Sequence, residues 1–317
     1  MAEEKKYEIM IVGGGPGGLC AGMYAARANR KVVCLEKYLP GGQIALTGDV
    51  EDYPGIEHIE GPELAIKFAD HAKKFGLEIE MEEVVEVYVD GDDRLARCAS
   101  GNIYRAKVVI LSTGGTPVKL EIPGEEKYSG KGVSYCAICD GAFFKEKVIV
   151  VVGGGDAAVE EGTYLTKYAS KVYIIHRRDK LRAQKIIQQR AFDNEKIEFI
   201  WDTVVEEING DDISVKSLSL KNVKTGESST LDIGAIFPYL GFYPNSNIVR
   251  EDLDKDKNGF LITNDRMETK VAGIYAVGDV RSQLVRQVTN AVGDGTTAAV
   301  AAEKYLEKLE DKIAQRV

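Results

Sequence analysis

Cys136 and Cys139 are separated by two residues, and Asp140 follows directly. A Cys-x-x-Cys pair has two chemistries open to it. Its sulfurs can close a small reducible ring that carries two electrons, or they can supply half of a tetrahedral metal site. A structural zinc site needs four ligands. The chain has no second pair, and its three histidines, His58, His71 and His176, are scattered, so no metal centre is expected. Disulfide exchange would give the neighbouring acid a use. A displaced thiolate must be protonated or stabilised, and a carboxyl group tuned toward neutrality can exchange that proton. Asp140-Gly141 is also a common turn pair, so the residues alone leave Asp140 between the two roles.

Thirteen residues after Asp140 a glycine-rich stretch begins: Gly153-Gly154-Gly155-Asp156-Ala157-Ala158. A similar stretch, Gly13-Gly14-Gly15-Pro16-Gly17-Gly18, lies near the N-terminus. Each follows a short apolar run, Tyr7 to Val12 in one case and Lys147 to Val152 in the other, read as a strand. Each precedes a segment read as a helix, to about Asn29 and to about Tyr168. A second strand follows, ending at Glu36 and at His176; from first glycine to strand end is twenty-three residues in both. The first glycine makes the tight turn, and the second lets a pyrophosphate approach the backbone. The third position, Gly18 or Ala158, permits close helix–strand packing, with the helix N-terminus facing the phosphates. Two dinucleotide sites are expected, involving Gly13, Gly15, Pro16 and Gly18 in one and Gly153, Gly155, Asp156, Ala157 and Ala158 in the other.

The two strand ends differ in charge. Glu36 suits the free 2′-hydroxyl of an adenosine ribose and would repel a 2′-phosphate, which points to FAD or NAD. The second unit offers His176-Arg177-Arg178 and, a little further on, Arg182. Guanidinium groups bind phosphate oxygens bidentately, which points to NADP; the alternative is an ordinary solvated charge run.

The rest of the chain must hold these parts. Its 317 residues are 44% hydrophobic, enough for about two domains with a substantial core. A net charge of −9 disfavours a nucleic-acid partner. The longest apolar runs, such as Val148 to Val152, are too short to span a bilayer. The first residues are charged and carry no apolar leader, so a cytoplasmic location is expected. An odd set of five cysteines is not a structural disulfide framework; Cys20 and Cys34 read as buried residues, and Cys98 as a strand residue with no evident role. Between the units the pattern gives an amphipathic helix from Gly61 to Gly76 and strand-like stretches at Leu77 to Val89 and Ile103 to Leu111. After the second unit come strands near Glu198, Val215 and Ala235, a short strand running into Gly278-Asp279, and a C-terminal helix from Thr296 to Lys312. Gly114-Gly115-Thr116-Pro117 and Gly241 to Asn245 are candidate domain crossings. The fold class expected is α/β, with two Rossmann-like, three-layer ββα nucleotide-binding domains, the second inserted in the first; a simple tandem of two domains is also possible on spacing.

The ordered set of motifs resembles the bacterial and archaeal low-molecular-weight thioredoxin reductases, within the pyridine nucleotide–disulfide oxidoreductases. The likeness runs over essentially the whole chain. It includes Gly41-Gly42-Gln43, Tyr53-Pro54-Gly55, Ser112-Thr113-Gly114, Cys136 to Gly141, His176 to Arg182, Gly278-Asp279-Val280 and Arg286-Gln287. It implies a discontinuous FAD domain of residues 1–116 and 245–317, and an NADPH domain of 117–244 that carries the cysteines. It implies flavin contacts at Glu36, Gly41, Gly42 and Gln43, and at Thr113, Gly114, Gly278 and Asp279. Arg286, Gln287 and Val288 would lie near the isoalloxazine. Asp52 stands where the family usually has asparagine, which puts the flavin contact there in doubt. NADPH contacts are implied at Gly153 to Ala158 and at His176, Arg177, Arg178 and Arg182. By the same resemblance Cys139 faces the flavin, Cys136 attacks the partner's disulfide, and Asp140 is the general acid–base. Thioredoxin or a thioredoxin-like protein is the implied partner, a homodimer the implied assembly, and rotation of the NADPH domain the implied motion. Competing readings are a dithiol oxidase passing electrons to oxygen, against which the arginines argue, the flavoprotein of a peroxide-reducing system, and a metal-binding Cys-x-x-Cys module.

Overall fold

The computed structural model describes residues 4–315. It divides into two compact units. The first runs from the N-terminus to Ala45, from Val50 to Thr116, and from Tyr243 to the C-terminal end. The second comprises Leu46–Asp49 and Pro117–Phe242.

The first unit is built on a five-stranded parallel sheet. Its order is Ile274–Ala276, Val108–Leu111, Ile9–Val12, Val32–Glu36 and Glu78–Met81. Four of these strands are buried along their whole length, as expected of apolar runs covered on both faces. Alternation assigns each residue to a face. Ile9 and Ile11 pack with Leu19, Ala72 and Ala298 beneath the helices Pro16–Arg27, Gly61–Lys74 and Val288–Ala314. Met10 and Val12 pack with Val87, Ala96 and Tyr104 under a second, four-stranded sheet. That sheet has the order Glu4–Lys6, Ile103–Ala106, Asp93–Cys98, Val84–Asp90.

The second unit repeats the plan. Its parallel sheet has the order Ile197–Ile200, Lys171–Ile175, Val148–Gly153, Ala235–Tyr239. Ile149 and Val151 face the helix side with Ala158 and Leu165. Val150 and Val152 face a three-stranded antiparallel sheet of Thr203–Gly210, Val215–Asn222 and Ser228–Asp232. The protein is therefore α/β, with two Rossmann-like units of three layers each.

The two crossings between the units, Gly115–Pro117 and Phe242–Pro244, pair with each other as a two-stranded ribbon. Asn245 N donates to Gly114 O at 3.0 Å and Val118 N to Gly241 O at 2.9 Å. The Asn245 side chain adds a bond from its amide to Thr113 O at 2.9 Å and accepts the Thr116 hydroxyl at 2.8 Å.

The C-terminal helix begins at Val288, not at Thr296. Gly295, inside the added turns, is needed for contact. A Cβ there would lie 2.2 Å from Gly17 O, so the helix crosses Pro16–Arg27 backbone against backbone.

Candidate active site

In the first unit the parallel register brings the strand ends to one edge. Val12 is level with Leu35 on one side and Leu111 on the other, and Leu111 with Ala276. Gly13, Glu36, Ser112-Thr113-Gly114 and Val277-Gly278-Asp279 therefore emerge together, in the crevice where open α/β sheets bind ligands. The glycines divide by role. Gly13 has φ +101°, and a Cβ on it would lie 2.3 Å from Ser112 O. A Cβ on Gly18 would lie 2.1 Å from Gly13 O. Gly15 caps the helix with φ −71°, and nothing lies within 4 Å of where its Cβ would be. Two glycines close the turn, and the third leaves a cradle for a ligand. No side chain caps this helix among the described residues, so its first-turn amides are available to a phosphate.

Glu36 is buried and closes the cradle. Its Oε2 accepts the Gly14 amide at 2.6 Å and its Oε1 the Tyr38 amide at 2.8 Å. A carboxylate has about four lone-pair sites, so acceptors remain for ribose hydroxyls. Gly41, at φ +128°, donates its amide to Gly14 O at 2.7 Å, and Gly42 sits against Gly15. Gln43 and Asp52 are exposed in the following segment. Thr113 donates its hydroxyl to Asn245 O at 2.8 Å, and Gly114 turns the chain at φ +57°. Gly278, at φ +67°, is the start of a short 3-10 turn carrying Asp279. Burial pushes the Asp279 carboxyl above its ordinary range; the Arg286 charge pulls the other way. Arg286 stacks on Phe260 at 4.0 Å from the ring centroid, and Gln287 leads into the helix that opens at Val288. These residues fit a flavin dinucleotide: a phosphate cradle, a ribose acceptor and a polar turn at one edge.

In the second unit Gly153, at φ +157°, packs against Tyr239 O, which a Cβ would approach to 2.5 Å. Gly155 faces open space, as Gly15 does, and caps the helix Asp156–Leu165 without a side-chain cap among the described residues. Ala158 is buried at the third position, and Ala157 is exposed beside it. The arginine segment is laced to this loop. Arg182 N donates to Gly154 O at 2.7 Å, and Gln184 N donates to Asp156 Oδ1 at 2.7 Å. Asp156 thus holds the segment in place. Arg177, Arg178 and Arg182 are exposed, while His176 is 6% exposed beneath the loop. A Cβ on Gly154 would meet the His176 ring at 2.5 Å. Burial, with the charges of Arg182, Arg178 and Arg177, holds the imidazole below its ordinary value. These residues fit a nicotinamide dinucleotide, with three exposed arginines beside the loop.

The same unit carries the cysteines. Cys136 and Cys139 form a disulfide with Cα atoms 5.3 Å apart. Cys136 is the N-cap of the short helix Ala137–Asp140, and its Sγ accepts the Cys139 amide at 3.1 Å. Ser134 Oγ accepts the Cys136 amide at 3.1 Å. Asp140 is half-buried at the helix end. Gly141 allows a close approach to the helix Asp156–Leu165, since a Cβ there would lie 2.9 Å from Leu165. Phe144 packs edge-on to Phe237, whereas Phe143 is 80% exposed. Cys20, Cys34 and Cys98 are free and buried. Among the described residues no group of three or more histidines, cysteines or carboxylates is placed to hold a metal ion, and no helix is long and apolar enough to cross a membrane.

The family model described as "Pyridine nucleotide-disulphide oxidoreductase" matches residues 7–295. This chain belongs to the pyridine nucleotide-disulphide oxidoreductase family. A thioredoxin reductase of Bacillus subtilis (strain 168) is 49% identical to it over 313 residues, covering 99% of each chain. The crystal structure of Lactococcus lactis thioredoxin reductase matches it with a TM-score of 0.93 at 49% identity, covering 95% of this chain and 99% of that one. The T. acidophilum thioredoxin reductase structure matches with a TM-score of 0.91 at 34% identity, covering 96% and 99%.

For a pyridine nucleotide-disulphide oxidoreductase the site has parts that the sequence did not announce. Asp294, buried on the C-terminal helix, accepts the Gly278 amide at 3.0 Å and the Arg281 guanidinium at 2.7 Å. It pins the turn that carries Asp279. Tyr239, at a strand end, accepts the Ala137 amide at 3.1 Å. Both are long-range contacts with no local pattern to reveal them.

Proposed function

We propose that this protein is a thioredoxin-disulfide reductase, moving electrons from NADPH by way of FAD and the Cys136–Cys139 disulfide to the disulfide of thioredoxin or a thioredoxin-like protein. The observation that carries this reading is a Cys136–Cys139 disulfide in the same unit as a glycine-rich nucleotide loop to which an arginine segment is laced. The names of the relatives, thioredoxin reductases matched over nearly the whole chain, support it. On this reading the first unit is the FAD domain and the second the NADPH domain. Glu36 supports FAD in the first, and Arg177, Arg178 and Arg182 support NADPH over NADH in the second.

The flavin and nicotinamide supply the two-electron chemistry that side chains lack. The protein's own residues do the rest. Once the pair is reduced, the Cys136 thiolate attacks one sulfur of the substrate disulfide, forming a mixed disulfide and expelling one substrate thiolate. Cys139 then attacks Cys136 Sγ, re-forming the internal disulfide and releasing the second substrate sulfur. Asp140 delivers the proton that a leaving thiolate takes up. The Cys139 amide on Cys136 Sγ supports Cys136 as the attacking sulfur, because a helix amide stabilises a thiolate there. Phe143, exposed four residues beyond Cys139, supports a protein as the substrate by offering an apolar contact beside the disulfide. A homodimer in the cytoplasm completes the proposal.

Anaerobic titration of the yellow holoprotein with NADPH and with NADH, followed by flavin absorbance, tests it. Bleaching by NADPH at far lower concentration than by NADH is expected. Bleaching by NADH alone would overturn the role given to the arginines, and no bleaching by either would overturn the electron donor.

A further inference from the structure

The chain leading into the redox helix is stitched to the strand Ala235–Tyr239. Ile236 N donates to Gly132 O at 2.8 Å, and Ser134 N donates to Ile236 O at 3.1 Å. Three residues after Ser134 a side chain makes the next link: the Tyr239 phenol oxygen accepts the Ala137 amide at 3.1 Å. Ala137 is fully buried, so its amide would otherwise have to find another acceptor. The bond therefore fixes where the helix starts. That start in turn places the Cys139 amide 3.1 Å from Cys136 Sγ.

Tyr239 is itself held from the nucleotide side. It stands level with Gly153 in the parallel register, and the Gly153 backbone packs closely on its carbonyl oxygen. Glu161, on the nucleotide helix, is 6% exposed. Burial, and then the Glu161 charge, push the Tyr239 phenol up, so it stays a neutral hydroxyl. One residue thus joins the glycine loop, through its backbone, to the cysteine helix, through its oxygen.

We propose that Tyr239 is a positioning residue for the dithiol: by accepting the Ala137 amide it sets the helix start that keeps the Cys139 amide on Cys136 Sγ, and so holds the Cys136 thiolate ready to attack. This rests on the reading of Cys136 as the attacking sulfur. Asp140 lies on the same helix, and the Glu161 charge acts on the Tyr239 phenol.

The test uses the reduced holoprotein with Cys139→Ser, in which the other three cysteines are buried and Cys136 alone answers to iodoacetamide. Adding Tyr239→Phe keeps the ring and removes one oxygen. The pH midpoint for alkylation should rise, and the rate at pH 7 should fall about three- to ten-fold, the size expected of one hydrogen bond. In the protein with both cysteines, Tyr239→Phe should make the dithiol–disulfide couple more reducing against a dithiothreitol buffer. A far-UV circular dichroism spectrum and a thermal midpoint that match the parent protein show that the variant folded. Superimposable alkylation profiles and an unchanged couple overturn the proposal. Failure of Cys136 to react at all in the protein that retains Tyr239 would instead sink the assignment of Cys136.

Discussion

Glu36 reaches back along the chain to take the Gly14 amide on its Oε2 at 2.6 Å, closing the glycine loop of the first unit against the end of the neighbouring strand. A charge-assisted bond of this kind is worth about 1.5–3 kcal/mol. It holds the loop, and on the proposed function it also presents acceptors to a ribose. Glu36→Ala is expected to purify with little bound flavin and to bind added FAD at least about tenfold more weakly. Fluorescence titration of the apoprotein measures this, and an unchanged affinity would remove Glu36 from the site.

Gly13→Ala and Gly15→Ala should fail in different ways. The first puts a Cβ 2.3 Å from Ser112 O at φ +101°, and should cost about 1–3 kcal/mol of stability. The second adds a methyl group to open space at φ −71°, so stability should hold while flavin binding drops about tenfold or more. Thermal melts of the apoproteins beside FAD titrations distinguish them. Equal loss of stability in both would mean that Gly15 is structural.

Replacing Arg177, Arg178 or Arg182 with alanine removes a guanidinium from an exposed segment tied to Gly154 and Asp156. Whichever of them meets the 2′-phosphate should lose about ten- to a hundredfold in NADPH affinity and leave NADH untouched. The loss should shrink at high salt. Weakening of both nucleotides alike would point to a solvated charge run.

Phe143→Ala is expected to raise KM for a protein disulfide about tenfold, the worth of burying one aromatic ring. Reduction of the flavin by NADPH should not change. A KM that stays put would show that the partner docks elsewhere.

Burial pushes the Cys98 thiol up to about 12 and raises Cys20 and Cys34 as well. These groups stay protonated in the folded state while the unfolded chain ionises above its ordinary value near 8.5. Their contribution to stability is therefore whole below that pH and is lost as pH climbs toward 12. In the reduced native protein at pH 8, a thiol reagent should label Cys136 and Cys139 only; denaturant should release all five. Early labelling of Cys98 would contradict its burial.

The two glycine loops were legible because the physics is local. Gly13 and Gly153 must turn, Gly15 and Gly155 must stay bare, and each lies between an apolar strand and a helix. The opposed charges of Glu36 and the arginines were equally plain. What escaped was long-range or surface-exposed. Gly295 signals a helix crossing only when Gly17 is known to lie against it. Asp294 and Arg281 look like ordinary charges until they meet over Gly278. The strand Ser228–Asp232 lies at a sheet edge with little buried, so it carries no apolar alternation to read. The helix Lys185–Phe192 buries only Ile187 and Ala191, too few points to define a period.

The first unit takes its edge strand, Ile274–Ala276, and its long packing helix, Val288–Ala314, from the last part of the chain. The second unit is almost wholly contiguous, Pro117–Phe242. On a ribosome these facts set an order of birth. The inserted unit has its sheet and its cysteines in hand while the enclosing one still lacks a strand and a helix, because domains assemble as their residues emerge. The cysteine pair is thus made before the crevice beside Gly13 is finished, and the newborn protein holds its sulfur chemistry before that crevice is complete.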